Sequence, residues 1–289
     1  MSSIYNEDNI QEFGVAHNWY NASIKHSMVT HRGTKVEIIE RPKWGLACYM
    51  DNSIQSCLID ERIYHESLVH PVMMSVKERR KVMIIGGGEG ATAREVLKWP
   101  GVEEVVMFEW DKDVVKMFKE NYPEWAKGAW DDHRLKIRNE DIFKAINQPP
   151  NRFKKFDVII IDLFDPCEEN MMLWRELIKS LHNWITINGS IVMYSGMRNI
   201  LEREQPYQKL IDIIKYAEEA RPGFPRVEDL RLCKEIIPYR VWIPSFSGES
   251  TFLLLKHHYL VKEFDFEETK KLGSHITEQV WNSYKTLNW

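Results

Sequence analysis

Cysteine is scarce in this chain. Its four residues, Cys48, Cys57, Cys167 and Cys233, lie far apart, with no CxxC and no paired CxxC/HxxxH spacing. That argues against a disulfide framework or a zinc site and makes a reducing compartment, the cytoplasm, the expected one. The ten histidines form no HExxH, the His257-His258 pair reads as surface, and no metal is expected. No apolar run approaches the ~18 residues that a membrane span requires. The opening MSSIYNEDNIQEFG is acidic and polar, unlike a secretory signal or an Arg-rich transit peptide. A strong charge of one sign is missing too: 39 basic residues face 43 acidic ones, a net charge of −4. Neither a nucleic acid nor a membrane is expected as a partner, and a small cation suits the balance better.

What remains is ordinary globular material. The 289 residues are 44% hydrophobic and 28% charged, enough for one large domain or two unequal ones. Such a length builds a core without covalent staples. The first ~75 residues read as short strands, VEIIE at 36–40, LACYM at 46–50 and SIQSCLID at 53–60, between turn signals at Gly33, Pro42, Gly45 and Asp51-Asn52. A helix is expected somewhere in Asn18 to His31. The boundary falls in a turn around Ser75–Arg80, dividing the chain into a β-rich domain, 1–76, and a second domain, 77–289.

From Lys81 the pattern alternates. Apolar runs KVMII, EEVVMFEW, LKIR, FDVIIID and GSIVMYS are separated by helical stretches ATAREVLKW, KDVVKMFKENY and MMLWRELIKSLHNW. Strands alternating with helices predict a parallel sheet of βαβ units. RLCKEIIPYRVWIP and TFLLLKHH predict a closing hairpin, and Pro149-Pro150 a surface loop.

Gly86, Gly87, Gly88 and Gly90 sit between the first of these strands and a helix. Glycines serve where backbone turns tightly and approaches a ligand unobstructed. Glu109, at the end of the next strand, is placed to accept hydrogen bonds from a ribose diol. The loop reads GGGEG rather than G-x-G-x-x-G, so Glu89 stands where a dinucleotide would bring a phosphate. A carboxylate there repels an anion and suits an amine. The pattern points to a nucleoside with a cationic tail; the bland alternative is a tight βα turn.

Asp162-Leu163-Phe164-Asp165-Pro166 follows the fourth strand directly. Open α/β sheets bind ligands at the carboxyl ends of their strands, so both carboxylates should face the cleft. One can take a proton from a nucleophile while the other holds a cationic substrate. An Asx-turn before proline is the structural alternative. Asp141, after the third strand, is placed to meet an adenine amine, or serves structure alone.

IIGGGEGATAREVL, the DLFDP loop and IYHESLVHP at 63–71 together resemble the polyamine aminopropyltransferases, the family of spermidine, spermine and thermospermine synthases. The resemblance runs from about Trp19 to about His257. Glu89, the segment YPEWAKGAWDDHRL and IPSF at 243–246 resemble the thermospermine branch most closely. The resemblance implies an α/β fold: a Rossmann-like, methyltransferase-type parallel-sheet domain behind a small N-terminal β-rich domain that serves substrate binding and oligomerisation. It implies aminopropyl transfer from decarboxylated S-adenosylmethionine, a co-substrate rather than a cofactor, to a polyamine, with release of methylthioadenosine. Carried over by position, Gln55, Gly86, Gly87, Gly88, Glu89, Glu109 and Asp141 would hold the donor. Asp162 would be the catalytic base, with Tyr64 beside it. Tyr64, Asp165, Phe246 and, more weakly, Glu66 would form the acceptor site. A homodimer or homotetramer is implied.

The chain departs from the family pattern around the acceptor. Cys167-Glu168-Glu169-Asn170 carries no glycine, Tyr194-Ser195-Gly196-Met197 replaces a glutamine-bearing segment, and Gly248-Glu249-Ser250-Thr251 replaces a tryptophan-rich one. The acidic residues Glu66, Asp165, Glu168 and Glu169 favour an acceptor longer than putrescine, with spermidine first. A spermidine synthase, a small-molecule N-methyltransferase and a catalytically silent polyamine-binding relative stay open as alternatives.

Overall fold

The computed structural model describes residues 4–7, 17–147, 155–198, 204–219, 233–256 and 263–286. The Pro149-Pro150 loop and the His257-His258 pair lie outside them. Strands β1 (Ile4–Glu7) and β2 (His17–Tyr20) form an antiparallel ribbon. Strands β3 (Ser23–Val29), β4 (Lys35–Arg41), β5 (Gly45–Met50) and β6 (Ser53–Cys57) make a four-stranded antiparallel sheet. The helix expected within Asn18–His31 is therefore two strands. Ile24 and Met28 are spaced as on one helix face, but Ser23–Val29 pairs along β4, and Asn21 turns the chain at φ 58°. A ladder to a neighbour satisfies the backbone in a way that local spacing does not reveal.

Helix α1 (Glu61–Met74) leads from this sheet to strand β7 (Lys81–Gly86). The chain then alternates through α2 (Ala91–Leu97), β8 (Glu104–Phe108), α3 (Lys112–Asn121), β9 (Leu135–Arg138), α4 (Ile142–Ala145), β10 (Phe156–Asp162), α5 (Met171–Leu181), β11 (Ile185–Met197) and α6 (Pro206–Glu219). Strands β12 (Glu235–Ile243) and β13 (Gly248–Lys256) close the sheet as an antiparallel hairpin, before α7 (Phe266–Lys271) and α8 (Glu278–Tyr284).

The seven strands lie in the order β12-β13-β11-β10-β7-β8-β9. Pairings from β11 to β9 are parallel, and β13 alone runs against its neighbours. The apolar runs are continuous because both faces are covered. Val82, Ile84, Val158 and Ile160 pack towards Leu68, Val69 and Val72 of α1, and Met83, Ile85, Ile159 and Ile161 towards Trp174, Leu177 and Ile178 of α5. Val36, Ile38 and Cys48 of the small sheet join the first of these clusters, so one core runs from the small sheet to the large one. Strand order reverses between β7 and β10. Their carboxyl ends, with the start of α1 above them, form the crevice.

Candidate active site

Gly86 and Asp162 are register partners at the ends of β7 and β10. Gly86 has φ +90°, and a Cβ there would stand 1.9 Å from the Asp162 carbonyl oxygen. Only glycine lets the chain turn out of β7 so close to β10. Gly87 also holds a positive φ, of +81°. A Cβ on Gly88 would meet Glu109 Oε2 at 3.1 Å, so the loop lies against that carboxylate.

At the centre of the crevice Asp162 accepts two hydrogen bonds. Tyr64 Oη donates to Oδ1 at 2.8 Å and Thr92 Oγ1 to Oδ2 at 2.7 Å. Burial raises the pKa of Asp162 and the Glu89 charge adds to it, while His65, Thr92 and Tyr64 pull the other way. A carboxylate so placed is a stronger proton acceptor than one in water. Tyr64 is fixed among aromatic rings, 5.3 Å from Phe252, 5.8 Å from Tyr194 and 6.1 Å from Phe246. Burial, then Asp162, drives its phenol well above the usual range, so it stays a donor.

Glu89 is tied to α1. Its Oε1 lies 2.7 Å from His65 Nε2, and His65 Nδ1 lies 3.0 Å from Glu61 Oε2. Glu61 is clamped by the Arg94 guanidinium at 2.7 and 2.9 Å. Burial works against charge on His65, but hydrogen bonds to Glu61 and Glu89 prevail and lift its pKa to about 10. The ring is an imidazolium between two carboxylates. Glu109 accepts the Asp111 backbone N–H at 2.9 Å, and burial pushes its pKa up to about 7, with Glu89 adding to the shift. Asp141 caps α4, accepting the Phe143 N–H at 3.0 Å. Gln55 is exposed at the end of the small sheet, its Nε2 donating to Ser53 O at 3.2 Å, and it shares a narrow pocket with Tyr64, His65 and Phe246.

On the other side of Tyr64, Asp165 accepts the Tyr194 hydroxyl at 2.5 Å. Desolvation raises its pKa against that bond, although the residue as a whole lies at the exposed mouth of the crevice. The loop without glycine is held by Asn170. Its Nδ2 donates to Asp165 O at 2.8 Å, and its Oδ1 accepts the Cys167 N–H at 2.9 Å. Glu168 and Glu169 are exposed, with Glu168 3.9 Å from Lys209. Glu249 is paired with Arg198 and Arg240.

Glu66 is the expectation that the structure corrects. It is fully buried and faces away from Tyr64, towards the turn before α8. Arg62 Nε donates to its Oε1 at 2.8 Å. Ser274 Oγ, the His275 N–H and His275 Nδ1 surround its Oε2 at 2.7–2.8 Å. Two residues along a helix is about 200° of rotation, so a residue that close to Tyr64 turns to the opposite face. Its carboxylate has no side left for an amine.

Sequence reasoning passed over His65, Thr92 and Tyr194. A signal was there: His65 adjoins Tyr64, and Thr92 opens the helix after the glycine loop. Their meeting with Glu89 and Asp162 depends on how α1 docks.

Strand order and crevice define the class: a Rossmann-like α/β protein of the methyltransferase type. A crystal structure of spermidine synthase from Thermotoga maritima shares this fold, with a TM-score of 0.76 at 24% identity over 99% of this chain and 92% of that one. A spermidine synthase in complex with the transition-state analogue AdoDATO does so with a TM-score of 0.78, also at 24% identity, over the same shares of 99% and 92%. The sequence profile of the spermine/spermidine synthase domain matches residues 61–223. A polyamine aminopropyltransferase of Hyperthermus butylicus is 34% identical over 233 residues, 79% of this chain and 73% of that one. One from Pyrobaculum aerophilum is 34% identical over 256 residues, 86% and 81% of the two chains. The chain belongs to the spermine/spermidine synthase family and is an aminopropyltransferase.

Proposed function

We propose that the chain carries the aminopropyl group of decarboxylated S-adenosylmethionine to spermidine, giving a tetraamine and methylthioadenosine. The observation that carries the reading is the half-buried Asp162 carboxylate, its pKa raised, held by Tyr64 and Thr92 at the reversal point of the sheet. The acceptor is the difficulty in this reaction. A primary amine has a pKa near that of lysine, ~10.4, and arrives protonated at neutral pH. Asp162 takes that proton, and Tyr64 and Asp165 set the amine in line with the methylene beside the sulfonium. The N–C bond forms as the C–S bond breaks, and its electron pair neutralises the sulfur. The sulfonium charge itself activates the leaving group.

On the donor side, Gln55, the Gly86–Gly88 backbone, Glu109 and Asp141 are assigned to the nucleoside. Glu89 is assigned to the ammonium of the aminopropyl arm, where S-adenosylmethionine would bring a carboxylate. Phe246 and Tyr64 flank the acceptor chain. Residues 1–76 serve substrate and oligomer contacts, and 77–289 catalysis. A homodimer or homotetramer is favoured by the outer strand β3 of the small sheet, whose far edge no strand among the described residues pairs and where Ile24 and Val29 are exposed. Light scattering at micromolar concentration should give a multiple of 34.3 kDa.

The deciding assay is methylthioadenosine release from the donor with putrescine, agmatine and spermidine, the product being identified chromatographically. Spermidine is expected to react best. A preference for putrescine moves the chain to the spermidine synthases, and methyl transfer from S-adenosylmethionine replaces the reading with a methyltransferase. No release with any amine removes the enzymatic reading.

A further inference from the structure

A larger cavity lies outside the crevice, lined by the start of α1, the end of α2 and the turn at 127–132. Its volume is about 470 Å³, within the ~300–1,000 Å³ usual for small-molecule sites. It shares no lining residue with the narrow pocket beside Tyr64. Arg62, Arg94, Lys98 and Lys127 line it, against Glu95 and Asp132. The two carboxylates are already taken. Arg94 Nε and Lys98 Nζ donate to Glu95 at 2.6–2.7 Å, and the Arg134 guanidinium meets Asp132 at 2.7 Å. Neither lacks a cation, so an amine finds no counter-charge there. Donors, by contrast, are left over. Lys127 is exposed, and none of the described residues pairs with its ammonium. Arg62 spends Nε and Nη2 on Glu66 and Gly273 O, and its Nη1 bonds no described residue. Arg94, only 5% exposed, gives four of its five N–H groups to Glu95, Glu61 and Trp125 O.

We infer that this cavity binds an oxyanion of the phosphate type, free or as a monoester, at Lys127, Arg62 and Arg94. The inference does not depend on the aminopropyl-transfer reading. Like charges gathered in one place repel one another unless an anion sits among them. Glu61, Glu66 and Glu95 neutralise Arg62, Arg94 and Lys98, and the Lys127 charge is left over. The whole chain is acidic, at −4, so four basic groups around one cavity are not a sample of its average surface. The open donors come from three segments, α1, α2 and the turn, so the ligand must offer several acceptor atoms at once. A tetrahedral oxyanion does this and a chloride ion does not. The guanidinium groups suit it by their planar N–H geometry, and the lysine as a point charge. The volume exceeds what a lone phosphate fills, which leaves room for the alcohol part of an ester. Arg94 also clamps Glu61, which holds His65 against Glu89, so the anion site and the crevice meet at one buried guanidinium without sharing a ligand.

The test is calorimetry on the full chain, with inorganic phosphate and glycerol 3-phosphate as probes. Ionic strength is held constant with sodium chloride, so that screening is the same throughout. Lys127→Gln removes the open charge. Lys43→Gln is the control, because Lys43 is also exposed and also sits in a turn at positive φ, 66° against 43° for Lys127. Neither substitution touches a buried side chain, and a melting curve on each variant checks the fold. Both probes are expected to bind the wild type and to weaken about fivefold or more in Lys127→Gln, the share of one partly exposed charge contact, with Lys43→Gln unchanged. Tighter binding of the ester assigns the rest of the cavity to its alcohol part, and equal binding assigns free phosphate as the ligand. Absence of binding by the wild type overturns the site, and so does full affinity in Lys127→Gln. Equal weakening in the two variants also overturns it, since the anion would then respond to total charge alone.

Discussion

Tyr64 and Asp162 are 98 residues apart in the chain and 2.8 Å apart in space, phenol to carboxylate. The bond joins α1 to the end of β10 and opposes part of the rise in basicity that burial and Glu89 give the carboxylate. A donor to the charged form lowers a carboxyl pKa, so removing it must raise that pKa. Asp162→Asn is expected to slow turnover by ~10²–10⁴-fold, the usual share of a general base. Tyr64→Phe should cost less and move the acid limb of the pH–rate profile to higher pH. An acid limb that stays in place would mean that Asp162 is not the titrating base.

Glu89 should select the donor. Isothermal titration is expected to show decarboxylated S-adenosylmethionine binding more tightly than the carboxylated form. Glu89→Gln should narrow the gap by about tenfold, the size of one exposed-to-half-buried charge contact of ~1.4 kcal/mol. A wild type that prefers the carboxylated donor contradicts the assignment.

Glu109 gives a pH signature. Its pKa in the folded chain, about 7, lies above the ordinary value of 4.5, so the folded state binds more protons between the two. Its contribution to stability is therefore fully present below about 4.5 and is lost as pH rises through about 7. Melting temperatures across this window should fall less steeply with rising pH in Glu109→Gln than in the wild type. Donor affinity should move the other way in the wild type, strengthening as Glu109 ionises to receive the ribose hydroxyls. Parallel melting curves for the two proteins would refute both statements.

Glu66 separates structure from binding. Hydrogen bonds from His275, Ser274 and Arg62 overcome the burial penalty and hold its pKa far below the carboxylate range. Its stabilising share is present above the unfolded value of ~4.3 and is lost as pH falls. Glu66→Gln is expected to lower stability in urea by ~2 kcal/mol, because the hydrogen bonds that Arg62, Ser274 and His275 make to a charged carboxylate are lost or weakened. The spermidine KM should not change. A raised KM with unchanged stability would return Glu66 to the acceptor site.

By itself, the sequence determined whatever depends on neighbours in the chain. The glycines at 86–88 announce a turn no other residue fits, and the alternation of apolar runs with amphipathic stretches announces a parallel sheet. The carboxyl-end rule then places Glu109, Asp141, Asp162 and Asp165 along one rim. Tertiary structure decided whatever depends on how α1 docks. Its rotation sends Tyr64 to Asp162 and Glu66 to His275, a difference that residue type does not encode. It brings His65 between Glu61 and Glu89. It also made a strand of Ser23–Val29, because the ladder along β4 satisfies more backbone than an isolated helical turn. Periodicity and turn chemistry act over a few residues and can be read from order alone. Burial, charge pairing and hydrogen-bond satisfaction are fixed only when distant segments exclude water together.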